Sequence, residues 1–462
     1  MLQGLATGFI NPFGPSGPEG NDLLQSSLIN GNYHTATGTT WLVDAKASRD
    51  IVRLPGGPLA IALGAEARKE QLSNDFSPMA QSGDVVTVGD VSSVAGGRRA
   101  QALYAEASAP FAKGWESQIA VRYDHYSDFG GTVNPKVAIR WQPVSQLVLR
   151  SSWGTGFRAP TIYDLHVPVQ QMGTTDPKFP DPVRCPVTHD PRDCEEGFTA
   201  YGGGNPHLAA ETSEQFNAGA VWEPVPGTSL SLDYWKINES NVIQSLSQEQ
   251  LFADFGRWAD TNVVRGAVDP AYPGLPGPIV AVFLGNENLG DLRTSGFDVD
   301  IKWRGRATSH GRLSFGLNGT YVTTYKLDFG TDQFSSGLGN NDLTGPVPRW
   351  RHYASLTWSN GPWSTTLAQT FQLGYTEPDQ LTVDPATGVY NGNRRVGDYS
   401  IIDIQGQYTG FKSMTVVFGV KNLFDRDPPF TQWGLGFSGG YDAVYADPRG
   451  VTYYAKLTFS FK

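Results

Sequence analysis

The sequence predicts an all-β protein, a transmembrane antiparallel β-barrel, and three observations carry that prediction. Apolar residues alternate with polar ones over many short runs, which is the side-chain period of a strand. Tight polar turns and long irregular stretches alternate between those runs. The short connections therefore share one end of the sheet and the long ones the other, the pattern of short periplasmic turns and long extracellular loops. Charge is sparse, with 35 Lys plus Arg and 45 Asp plus Glu, whereas Gly (54 residues) and aromatics (12%) are abundant. That composition is neither disordered nor helical and suits a sheet that turns apolar side chains outward.

No run approaches the ~18–20 apolar residues of a membrane-spanning helix, so an α-helical membrane protein is excluded. A barrel is not, because its strands carry apolar residues only at alternate positions. The formal net charge of −10 argues against a nucleic-acid partner. The start, MLQGLATGFINPFGPSG, has no basic segment ahead of an apolar core and so reads as no secretory signal.

Residues 1–36 are rich in Gly, Pro and Asn and read as an extracellular loop entering the barrel, with a turn or two of helix over 21–28. Residues 37–462 read as the barrel. Strands are expected at 38–51 and 59–71 around the turn VRLPGGP, and at 101–109 and 115–126 around PFAKG. The next hairpin is the clearest. Val137, Ile139 and Trp141 share one face against Lys136, Ala138 and Arg140; a short turn follows; then Leu147, Leu149, Trp153 and Phe157 oppose Val148, Arg150, Ser152 and Gly154. After Phe157 the pattern dissolves into a long irregular stretch, 158–211.

The rhythm then resumes. Strands are expected at 213–222 and 229–244 across EPVPG, at 291–303 and 312–325 across RGRATSHG, and at 351–359 and 364–373 across NGPW. Two more, 399–408 and 414–423, flank TGFKS, and 451–461 is the last. That makes about fifteen strands with long gaps at one end only, a sidedness that a soluble sandwich or propeller lacks. In the last strand Tyr453, Ala455, Leu457, Phe459 and Phe461 oppose Tyr454, Lys456, Thr458 and Ser460. The charged faces cannot meet lipid, where a mid-plane Lys or Arg costs roughly 2–4 kcal/mol. Asp124, Asp298, Asp300, Asp403, Glu106, Arg122, Arg140 and Arg150 are therefore assigned to the interior. Trp115, Trp141, Trp222, Trp303 and Trp358 fall at the turn ends of their strands and suit an interfacial girdle, as against capping a soluble sheet.

The segment NPKVAIRWQPVSQLVLRSSWGTGFRAPTIYDL resembles a mid-barrel signature of TonB-dependent outer-membrane receptors. So do NPHLAAETSEQFNAGAVWEP, GVKNLFDRDPP and the terminal YYAKLTFSF, in that order. The resemblance runs from NPFGP to the last strand. It implies a barrel of about 22 strands with a plugged lumen, a plug bearing the segment grasped by TonB, and energy-coupled uptake of an extracellular small-molecule ligand. On this reading the chain holds about the last fifteen strands, embedded in outer-membrane lipid. The earlier strands, the plug and its TonB contact lie outside it. The last residue, Lys462, departs from the aromatic terminus usual for outer-membrane proteins.

Phe157, Arg158, Ala159 and Pro160, with Asn205 and Pro206, flank the longest loop. Their expected role is structural: Pro160 removes a ladder donor and Arg158 seeks a loop carboxylate. Cys185 and Cys194 are the only cysteines. In an oxidising exterior they read as a disulfide; the rival is a metal site with His189, Asp190, Asp193, Glu195 and Glu196, whose spacing matches no zinc pattern. Leu251, Phe252, Phe255 and Trp258 fall at helical spacing and predict a short amphipathic helix that packs on other loops or faces a ligand. Loop aromatics Phe198, Tyr201, Tyr272, Trp433, Phe437 and Tyr441 are candidates for ligand stacking, and the ligand itself is unknown. No nucleophile–base pair or paired acids emerge, so neither catalysis nor a cofactor is expected. The function expected is uptake of a scarce large solute: a ferric siderophore, cobalamin or an oligosaccharide. The alternatives are a plugless porin or surface adhesion barrel and, from another class, a secreted glycan hydrolase.

Overall fold

The computed structural model describes the chain except residues 1, 12–13, 29–30, 83–90, 331–332, 342–344, 379–391, 433–439 and 462. Two helices, α1 (Leu2–Ala6) and α2 (Pro18–Ser26), come first, so residues 1–36 hold more helix than the sequence suggested. Six strands follow: β1 (His34–Leu54), β2 (Gly57–Phe76), β3 (Val94–Ala112), β4 (Trp115–Tyr126), β5 (Gly130–Val144) and β6 (Leu147–Arg158). The long stretch after β6 is not structureless. It holds α3 (Ile162–His166), β7 (Gln170–Thr174), α4 (Cys185–Thr188), α5 (Pro191–Cys194) and β8 (Thr199–Gly202).

Then come β9 (Glu211–Trp222) and β10 (Thr228–Ser245), and a second loop with α6 (Gln248–Ala253), α7 (Phe255–Asn262), β11 (Val263–Arg265) and β12 (Ile279–Phe283). The chain continues through β13 (Asn286–Arg304), β14 (Arg312–Asp328), β15 (Phe334–Ser336), β16 (Trp350–Asn360) and β17 (Trp363–Gln372). A small hairpin, β18 (Tyr375–Pro378) and β19 (Asn393–Val396), precedes β20 (Tyr399–Tyr408), β21 (Met414–Lys421) and β22 (Thr452–Phe459).

One antiparallel meander runs β1-β2-β3-β4-β5-β6-β9-β10-β13-β14-β16-β17-β20-β21-β22, with β15 added beside β14. These are the predicted strands, several of them longer. Among the described residues β1 pairs only with β2 and β22 only with β21, so the sheet is open along those two edges. Connections 55–56, 113–114, 145–146, 223–227, 305–311, 361–362 and 409–413 lie at one end; 77–93, 159–210, 246–285, 329–349, 373–398 and 422–451 lie at the other, with the short 127–129. Gly114 shows what a tight turn demands: its φ is +78°, and a Cβ there would sit 2.6 Å from the Gln142 carbonyl oxygen.

The register aligns the two faces across the whole sheet. Trp115 pairs with Trp141, their rings stacked at 4.8 Å, and Trp141 with Leu149. Trp222 pairs with Leu147 and Leu230, and Trp363 with Tyr408. This face is apolar and open to its surroundings, with Leu103 62% and Tyr453 70% exposed. The opposite face is polar and more enclosed, with Asp124 at 4% and Asp233 at 7%. No described helix is long and apolar enough to cross a membrane.

Candidate functional site in the long-loop layer

Phe157 and Arg158 end β6, where they pair with Thr212 and Glu211. The Arg158 guanidinium is bonded to Glu211, whose carboxylate also accepts the Ile243 backbone N–H at 2.7 Å. Ala159 leads to Pro160, whose carbonyl accepts from Arg98 Nη1 at 2.6 Å. Thr161 then caps α3 reciprocally with Asp164 (3.0 and 2.8 Å). On the far side of the loop the Asn205 backbone N–H donates to the Asp164 carbonyl (2.9 Å), and its side chain donates to the Asn286 carbonyl (3.0 Å) and to Glu287 (3.2 Å). These groups tie the strand ends to the loops.

Above the sheet the loops form a layer with its own core. A four-stranded sheet in the order β11-β12-β8-β7 is assembled from two different loops, β12 and β8 pairing in parallel. Helices α6 and α7 pack on it: Leu251 and Val282 are fully buried, with Phe198, Ala200, Leu246, Trp258, Ile279 and Leu289 around them. Ser247 caps α6 reciprocally with Gln250 (3.2 and 2.7 Å), which fixes where the helix starts. The stretch expected as one helix is two, broken at Asp254. Phe252 stacks between Phe179 (5.5 Å) and Phe198 (5.9 Å).

A buried polar network clasps the same two loops. Cys185 and Cys194 are disulfide-bonded, Cα–Cα 5.1 Å. Their thiolates are thus unavailable to the rival metal site, and no metal-holding group of three or more His, Cys, Asp or Glu occurs among the described residues. Beside them Arg184, 2% exposed, binds Asp193 (Nε–Oδ2 3.0 Å) and donates to the Pro276 carbonyl (2.8 Å). Asp181, fully buried, takes Arg265 Nη1 at 2.7 Å. Asp190 caps α5, and the Arg192 guanidinium holds its carboxyl down to about 2.

A cavity of about 640 Å³ opens where the two loops meet. Asn205, Pro206 and His207 from the first loop face Arg257 and Trp258 from the second and Glu287 at the start of β13. Arg257 lies 4.5 Å over the Trp258 ring, while Glu287 accepts from Asn205 and Asn262. A stacked cation across from an anchored carboxylate can hold a polar, multi-dentate molecule.

The other loop aromatics are mostly committed to packing. Phe198 is in the core, Tyr201 stacks on Phe283 (5.7 Å), and Tyr272 lies 5.9 Å from Arg184. Tyr441 is half-buried, and Trp433, Phe437 and Lys462 lie outside the described residues. A second knot lies under β18 and β19. There Glu377 is bonded to Arg394 and Thr431, and burial pushes the Tyr375 hydroxyl up to about 12.

On the polar face of the large sheet Arg122 binds Asp124 (2.9 Å) and Glu66 (3.2 Å), and Arg150 binds Asp233 (2.7 Å). Asp298 accepts from Thr320 (2.8 Å), Asp300 pairs with Lys302 (3.0 Å), Asp403 accepts the Asn422 backbone N–H (2.8 Å), and Arg140 donates to Gln142 (2.8 Å). Glu106 shares this face and lies beside Arg122.

Residues 6–423 match the model of the TonB dependent receptor-like β-barrel. The chain belongs to the TonB-dependent receptor family. It is 23% identical over 447 residues to a ferric enterobactin receptor of Pseudomonas aeruginosa, covering 94% of this chain and 52% of that one. A second, the ferric enterobactin receptor PirA of the same organism, is 24% identical over 87% of this chain and 47% of its own length. The receptor barrel thus spans about half the length of the curated relatives it matches. Among solved structures, a mutant of the Pseudomonas aeruginosa ferric enterobactin receptor in complex with enterobactin superposes with a TM-score of 0.63 at 21% identity, over 92% of this chain and 55% of that one. The siderophore receptor PirA from Acinetobacter baumannii gives 0.61 at 16%, over 93% and 55%. These likenesses establish an outer-membrane β-barrel fold. The apolar face of the receptor sheet therefore meets lipid, the ion-paired face the lumen, and the loop layer the exterior.

Proposed function

We propose that the chain is the barrel portion of a receptor that captures a ferric siderophore outside the cell and passes it inward by TonB-driven, energy-coupled transport. The carrying observation is the family match over residues 6–423. Support comes from the external layer: a rigid, disulfide-clasped platform with a polar cavity is what capture of a multi-dentate solute needs. Both curated relatives named above are siderophore receptors, which favours that cargo over cobalamin or an oligosaccharide. In this reading residues 1–36 form the external segment that enters the barrel and 37–462 the C-terminal part of that barrel; outer-membrane lipid is its partner, and TonB is engaged through the receptor's plug.

The test is uptake of radiolabelled ferric enterobactin by cells expressing the gene, with TonB present or deleted. Saturable uptake lost with TonB supports the reading. Entry independent of TonB, together with solute leakage from liposomes carrying the chain, would replace it with the porin. Saturable cobalamin or oligosaccharide uptake instead would change the cargo alone.

A further inference from the structure

The lipid-facing side of the sheet carries cations just above its apolar band. Up the β10–β13 ladder that face runs Leu230–Ile301, Leu232–Val299 and Tyr234–Phe297, then changes to Lys236–Ser295 and Asn238–Arg293. One strand further, Arg293 stands directly opposite Lys326. Trp303, at the other end of β13, marks the lower girdle. Trp303 and Arg293 are about 33 Å apart along the strand at ~3.3 Å per residue. A tilt of about 40° turns that into about 25 Å of height, the height of the lipid-facing apolar band of such a barrel. The three cations therefore stand at the level of the external headgroups.

Lys236, Arg293 and Lys326 are all exposed. Around the cluster this face carries the carboxylates Glu214, opposite Asn238, and Asp291 and Asp328, which oppose each other one rung higher. Glu214 accepts the Trp153 indole N–H at 2.7 Å, and none of the three cations forms an ion pair among the described residues. Like charges directly opposite in an antiparallel pair repel, yet Arg293 is held in position, its guanidinium 4.0 Å over the Phe334 ring.

We propose that this cluster binds a phosphate group on the headgroup of an outer-leaflet lipid. The face points into the bilayer, so the anion comes from the membrane rather than the lumen. A guanidinium fork can take two phosphate oxygens while the lysines add point charge. The site is separate from solute uptake: it fixes the barrel's height and rotation against the outer leaflet.

The test measures binding of the full chain, in detergent micelles, to lipid A and to its dephosphorylated form by native mass spectrometry. Lys236→Gln, Arg293→Gln and Lys326→Gln should each weaken binding of the phosphorylated lipid about fivefold, and the triple variant about a hundredfold. The dephosphorylated lipid should not distinguish the variants from the parent. A triple variant that retains the β-sheet circular dichroism and binds lipid A as the parent does overturns the proposal. For the parent itself, affinity should fall between low and high salt. Salt-insensitive binding, or displacement of the lipid by inorganic phosphate at equal concentration, overturns it without reference to any variant.

Discussion

The guanidinium of Arg150 reaches across Gly219 to grip Asp233. The two residues lie on β6 and β10 with β9 between them, and the bonds are Nε–Oδ1 2.8 Å and Nη2–Oδ2 2.7 Å. The register places Gly219 level with both. A Cβ on Gly219 would come within 2.0 Å of Asp233 Oδ1 and 2.8 Å of the Leu232 carbonyl oxygen. Gly219→Ala should therefore cost about 1–3 kcal/mol, as overpacking does, seen as a lower thermal midpoint of the β-sheet signal. Adding Asp233→Ala should recover part of the loss, because one of the two clashes goes with it. A Gly219→Ala chain as stable as the parent would show that the pair does not depend on this gap.

The clasp in the loop layer makes a prediction about rank order. Removing Arg184 would strand Asp193, 1% exposed, as a buried unpaired charge, a loss of about 3–5 kcal/mol. Reducing Cys185–Cys194 releases a ring of about ten residues, and chain entropy puts that at about 2.7 kcal/mol. Arg184→Ala should thus expose residues 159–210 to limited proteolysis more than reductant does. Faster cleavage on reduction than in the variant would mean that the ion pair contributes little beside the disulfide.

The strands were legible where a membrane imposes two faces and blurred where it stops. The alternation of Phe297, Val299, Ile301 and Trp303 identifies the last part of β13, but the strand begins at Asn286, in a stretch that stands above the bilayer and carries no period of two. β1 likewise runs from His34 to Leu54, beyond the 38–51 in which a pattern shows. The fold-defining register is still implied, because a slip of one residue would turn every apolar face inward. The candidate site was less legible. Cys185 and Cys194 were visible as a pair, but Arg184 beside them reads as a surface charge, since Asp193 meets it only when α4 and α5 fold back on each other and Pro276 only after two loops have packed. Arg257, His207 and Glu287 lack any linear motif; their proximity comes from the parallel pairing of β8 with β12, which a single sequence does not announce. Phe198 reads equally as a stacking surface or as core, and the structure makes it core.

Asp190 supplies a pH prediction. Its folded carboxyl is held down to about 2 by Arg192, below the ordinary value of about 3.9. A depressed folded value means that the cap on α5 contributes in full above the ordinary value and is lost as pH falls through about 2. Carboxyl-carbon NMR should place its midpoint near that lower value, and Arg192→Ala should return it toward the ordinary one. An unchanged midpoint in the variant would rule out the guanidinium as the cause.

Leu251 separates the loop layer from the barrel as folding units. It is fully buried on α6 and packs in the cluster with Phe198, just before β8, and with Ile279 and Val282 of β12. Leu251→Ala should cost about 2–5 kcal/mol, and the loss should fall on the layer, because among the buried residues of its cluster only Leu289, near the start of β13, belongs to a barrel strand. The β-sheet signal should melt as in the parent while proteolysis near α6 and α7 accelerates. Since α7 carries Arg257 and Trp258 into the cavity, affinity for ferric enterobactin in cell-binding assays should fall with it. Loosened loops with unaltered affinity would take that cavity out of the ligand's path and move the search to the lumen, where Arg122 and Arg150 stand.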